Sequence, residues 1–152
     1  MTPDDALQHL DDHYQAMPPV AAMQLRVAGY DGRQLHLHAP LAQHVNDKGC
    51  AFGGSMISLM TLASWGLVWL RLREAGMDAD VFVADSEVRY LAPLFADLEV
   101  TATLAGDAGW STFLATLRER GRARATLAAT VALPGGGIAA QCSARYVAIA
   151  KR

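Results

Sequence analysis

With 152 residues, a net charge of −2 and two cysteines, the chain fits a single globular domain spanning residues 1–152 with a substantial core. That charge gives no reason to expect nucleic acid or an anionic membrane as partner. Cys50 and Cys142 are too far apart in sequence to form a disulfide framework. This cysteine usage, and the acids Asp4 and Asp5 where a signal peptide would be basic, point to a cytoplasmic protein.

The first predicted element is a short helix. Thr2 suits the N-cap, Pro3 the first helical position, and Asp4 and Asp5 the positive end of the dipole. Leu7, Leu10 and Tyr14 share one face, and Pro18-Pro19 ends the element. A hairpin follows, with Met23, Leu25 and Val27 alternating, a turn at Tyr30-Asp31-Gly32-Arg33, and Leu35 and Leu37 alternating with His36 and His38. The two histidines suggest metal ligation, but nothing at supporting spacing joins them, and a solvated strand face is the reading adopted.

Asn46 to Leu70 is the stretch that organises the chain. A polar turn leads through Gly53-Gly54 into a run that carries no charge and no proline from Ala51 to Leu70. Met, Leu and Ala favour a helix over Gly53–Gly76, re-entering water at Arg71, Arg73 and Glu74. The run is long enough to span a membrane. Ser55, Ser58, Thr61 and Ser64, spaced in threes, and soluble-type alternation elsewhere favour a buried core helix instead. Unpartnered amides at the start of such a helix make a site for a phosphate or an oxyanion, unless the glycines serve only as an entry turn.

Strands are predicted for Val81–Leu91, Leu98–Leu104, Trp110–Arg118, Arg122–Leu133 and Ile138–Ile149, with a turn at Gly106–Gly109 and hairpins near Gly121 and at Pro134–Gly137. On Val81–Leu91, strict alternation puts Val83, Asp85, Glu87 and Arg89 on one face. A helix apolar nearly all round is hidden by wrapping a curved antiparallel sheet about it. That is an α+β fold of the hotdog type, and its free edge strand implies a homodimer or a dimer of dimers.

Asn46-x-x-Gly49-x-x-Phe52-Gly53-Gly54, then an apolar helix, then Asp85-x-x-x-x-Tyr90-x-x-Pro93, resembles the hotdog acyl-CoA thioesterases of the phenylacetate-pathway type. Phe52-Gly53-Gly54-Ser55, Trp65-Gly66 and Asp85 to Tyr90 resemble more closely the bacterial thioesterase domain found behind GNAT-type acetyltransferases in some proteins. The resemblance implies hydrolysis of an acyl-CoA or acyl-carrier thioester, with no cofactor beyond the coenzyme A of the substrate. It implies that Asn46 positions the acyl group or water, and that the Gly53 and Gly54 amides bind the thioester oxygen. Thr61 and Ser64 of a neighbouring chain would face that turn. Many relatives have His at Phe52 and a carboxylate at Thr61, so the base must come from elsewhere.

Asp85 is the expected base, its pKa raised by burial, or else a partner of Arg89 in a structural network; Glu87 on the same face is the runner-up. Thr61 and Ser64 are expected to orient a water. Lys48 and the cluster Arg118, Arg120, Arg122 and Arg124 at the Gly121 hairpin are candidates for the phosphates, and Phe52, Ser55, Met60 and Trp65 for the acyl side of the site. A non-catalytic acyl-CoA or acyl-carrier binding module is the alternative.

Overall fold

The computed structural model describes residues 2–151. Helix α1 (Pro3–Gln15) begins with a reciprocal cap, the Asp5 amide donating to the Thr2 hydroxyl at 3.2 Å and the Thr2 amide to the Asp5 carboxylate at 3.0 Å. It stops at Gln15, and the proline pair opens one further turn, α2 (Pro18–Ala21), because proline is pre-set for a helix start. Strands β1 (Arg26–Tyr30) and β2 (Gln34–Ala39) form the expected hairpin. The Asp31 carboxylate accepts the amides of Arg33 at 2.9 Å and Gln34 at 2.6 Å and so shapes the turn.

Helix α3 (Gly53–Glu74) buries side chains in nearly every direction, with Leu59, Met60, Ala63, Leu67, Val68 and Leu70 sealed from solvent. It is long and apolar enough to cross a membrane, yet 61% of its most apolar window lies inside the chain, as a core helix must. Gly76 closes it with φ +68°, and the Met77 amide returns to the Leu72 carbonyl at 2.9 Å.

Around α3 runs one antiparallel sheet in the order β1-β2-β4-β5-β6-β3, completed by β3 (Ala79–Tyr90), β4 (Leu98–Leu104), β5 (Arg122–Ala132) and β6 (Ile138–Ala150). Along β5, Ala123, Ala125, Leu127, Ala129 and Val131 point into the core, and the residues between them point out. The curved sheet around a long central helix is the hotdog fold.

Two segments depart from the sequence reading. Trp110–Arg118 is not a strand but lies in a helix, α4 (Gly109–Arg120), whose Phe113 and Leu117 enter the core one turn apart. Gly121 is then its left-handed C-cap, φ +72°, rather than a hairpin tip. In β3 the register slips between Val83 and Asp85, a bulge that inserts one residue and reverses the alternation. Ser86 pairs with Ala144 and Val88 with Cys142, both partners buried, which places these two on the inner face of the sheet, whereas Asp85, Glu87 and Arg89 lie on the outer face.

Candidate active site

Helix α3 starts on a turn that leaves two donors free. The Phe52 carbonyl accepts both the Ser55 amide, at 3.0 Å, and the Met56 amide, at 3.1 Å. The Gly53 and Gly54 amides have no acceptor among the described residues. No side chain caps the helix, and the Phe52 ring is 54% exposed. A Cβ on Gly54 would come within 2.5 Å of that ring and push it aside, whereas one on Gly53 would meet the Tyr90 ring at 3.4 Å, an ordinary contact. The Tyr90 hydroxyl donates to the Gly53 carbonyl at 3.0 Å and fixes the turn from the β3 side.

From the other side the turn is held by a pair the sequence did not reveal. Buried His44 bonds the Met23 carbonyl through Nε2 at 2.7 Å and the Ser55 hydroxyl through Nδ1 at 2.8 Å. A carbonyl can only accept, so in the neutral ring Nε2 carries the proton and Ser55 donates to Nδ1. Ser55 therefore serves the loop rather than standing open to substrate. Asn46, too, is occupied within its own turn. Its side-chain oxygen accepts the Lys48 amide at 2.8 Å and the Cys50 amide at 3.2 Å, and its Nδ2 lies 3.3 Å from the Cys50 sulfur. Lys48 is exposed and pairs with neighbouring Asp47 at 2.9 Å.

Further along α3, Thr61 is half-buried, and its hydroxyl has no partner among the described residues; its carbonyl accepts the Tyr146 hydroxyl at 3.1 Å. Ser64 is buried beside the same hydroxyl. Burial pushes the Tyr146 phenol up to about 12, so it stays a neutral donor at any physiological pH. Ser86 and Cys142 approach from the sheet, and burial raises the thiol while the Ser86 hydroxyl opposes the shift. Met60 is sealed in the core and does not line an open pocket. The Trp65 indole donates to the Val81 carbonyl at 3.0 Å and stacks on His13, with ring centroids 5.3 Å apart.

Asp85 corrects the sequence reading. Its carboxylate is exposed on the outer face and tied to Arg145, whose Nε lies 2.9 Å from both oxygens, rather than to Arg89. That bond, with the guanidinium's charge, lowers its pKa instead of raising it. The bulge explains the error, since strict alternation would have turned Asp85 inward with Val83. Glu87 shares the outer face. The arginines expected at one hairpin are divided between α4 (Arg118, Arg120) and β5 (Arg122, Arg124). The paired histidines are likewise engaged, His36 with Thr101 at 2.8 Å and His38 with Asp97 at 3.2 Å.

The hotdog fold agrees with the comparisons. Residues 7–150 match the family model described as "Putative thioesterase (yiiD_Cterm)". The chain belongs to that family. Among solved structures, a Shewanella oneidensis protein described as a "putative thioesterase" is 29% identical, with a TM-score of 0.86 over 96% of this chain and 99% of that one. A Chlorobaculum tepidum protein of unknown function is 26% identical, with a TM-score of 0.92 over 99% and 98%. A Haemophilus influenzae thioesterase, 14% identical with a TM-score of 0.70 over 93% and 90%, shares the fold. Membership in this family makes the chain a thioester hydrolase by class.

Proposed function

We propose that the chain hydrolyses acyl thioesters of coenzyme A or of an acyl carrier, with the Gly53 and Gly54 amides as the oxyanion hole. The observation that carries this reading is the pair of unbonded amides at the head of a 22-residue helix, reached past an exposed Phe52. Negative charge developing on the thioester oxygen is stabilised there without any side chain. The free Thr61 hydroxyl is the group on α3 able to hold a water, with the Tyr146 hydroxyl holding its carbonyl and Ser64 beside that hydroxyl.

The working unit in this reading is a cytoplasmic homodimer joined through β3. That strand is a free edge of 12 residues with Phe82, Val83 and Tyr90 exposed, a surface that pairing would cover. The turn of one chain would then face Thr61 and Ser64 of its neighbour. A second reading, a non-catalytic acyl-thioester binding module, is favoured by two observations: no carboxylate stands at Thr61, and Asp85 is committed to Arg145 on the outer face.

Thiol release over a panel of acyl-CoAs decides between them. Turnover in the parent that falls about a hundredfold in Gly54→Ala, with an unchanged circular dichroism spectrum, supports hydrolysis at the turn. Saturable binding of acyl-CoA without any turnover supports the module.

A further inference from the structure

At the opposite end of α3 lies a cavity of about 430 Å³, lined in part by Arg33, Arg71, Thr103, Gly106, Trp110 and Ser111. Arg33 comes from the β1–β2 turn and Arg71 from the last turn of α3, so two separate parts of the chain converge with α4. Arg71 donates through Nη1 to the Gly32 carbonyl at 2.8 Å, and its guanidinium lies 5.4 Å from the centre of the Trp110 ring. These contacts hold it in place, and the Tyr30 hydroxyl, itself bound to Glu74, also lies beside it. Its Nε is sealed from solvent and has no acceptor among the described residues. Neither Arg33 nor Arg71 is ion-paired among the described residues.

The carboxylates in the neighbourhood do not fill this role. Asp31 is turned onto the amides of Arg33 and Gln34, and Glu74 takes the Tyr30 hydroxyl. Asp107 is exposed in the loop before α4 and is not part of the lining. Helix α4 adds donors of its own, since Ala108 caps it with no side chain and no acid occupies its first turn. Two guanidiniums, free helix amides and the Ser111 hydroxyl around one cavity match an oxyanion with several acceptor oxygens.

We propose that this cavity binds a phosphate dianion, free or carried as a phosphate ester. Eighteen residues of helix, about 27 Å, separate Gly53 from Arg71, so the site is distinct from the glycine turn of the same chain.

The test follows the Ser111 amide and the Trp110 indole by NMR while sodium phosphate is added, with sodium chloride of matched ionic strength as control. Saturable shifts with a Kd on the order of 1 mM are expected with phosphate alone. Arg33→Gln and Ser111→Asp should each weaken binding by about tenfold or more with unchanged Tm. An acid at Ser111 suits the helix start while occupying the anion's place. Arg71→Gln also removes the bond to Gly32, so the two other variants carry the decision. Free coenzyme A provides a second arm: competition with phosphate at the same residues identifies an ester ligand, and shifts from phosphate alone identify the free ion. Linear, chloride-like shifts up to about 20 mM phosphate, or variants that bind as the parent does, overturn the site.

Discussion

On the side facing α1 and β2, α3 is packed without relief. The Tyr14 hydroxyl donates to the Leu62 carbonyl at 2.7 Å, Ala63 is fully buried, and a Cβ on Gly66 would overlap the Tyr14 hydroxyl and come 2.9 Å from Leu35. On the side facing β3 the helix shows Gly54, Ile57, Ser58, Thr61 and Trp65, all partly accessible. The same helix thus carries a closed face that secures the fold and a looser one that presents hydroxyls and free amides. The chemistry proposed for this protein uses the second.

The contrast is sharpest for one substitution made on both sides. Ala63→Asp places an unpaired charge in the core and should leave no cooperative unfolding transition. Thr61→Asp, two residues earlier, should keep the fold and preserve or raise thioester turnover, because it restores a carboxylate to the open face; loss of folded protein there would break the distinction. Gly66→Ala should cost about 3 kcal/mol in urea unfolding. Tyr14→Phe should cost about 1 kcal/mol, a fall in Tm of about 2–4 °C, with turnover unchanged.

The smallest effect expected is that of Asp85→Asn. A carboxyl whose pKa is lowered in the folded state contributes stability that is present at neutral pH and lost as pH falls through the folded value. Melting curves of Asp85→Asn and parent should therefore differ by no more than about 2 °C at pH 7 and converge once the pH has fallen through the folded value, below the ordinary carboxylate range. Turnover should not fall hundredfold, as it would for a catalytic base.

Much of this could be read from residues alone. The uncharged run after Gly53-Gly54 specified the central helix, and Asp31-Gly32 specified the first hairpin. Helix α4 was misread because Trp110, Thr112, Leu114 and Thr116 alternate like a strand, although Trp110, Phe113, Leu114 and Leu117 carry helical spacing. The β3 bulge adds one residue without any local mark, and that alone misplaced Asp85. His44 and Ser55 meet only because the loop folds back on the helix, and Tyr146 reaches Thr61 from 85 residues away. Contacts of that range leave no periodic trace.

Strand β3 is fastened to α3 near both of its ends, by the Tyr90 hydroxyl on the Gly53 carbonyl and by the Trp65 indole on the Val81 carbonyl. A slide of one residue along the helix would break both bonds together and turn every side chain of the strand over. The free edge therefore offers one phase only. Any chain that adds to it inherits that phase and is indexed to the glycine turn through the Tyr90 and Trp65 side chains of this one. In a symmetric pair the same two bonds act twice, like a key cut identically on both sides of one lock.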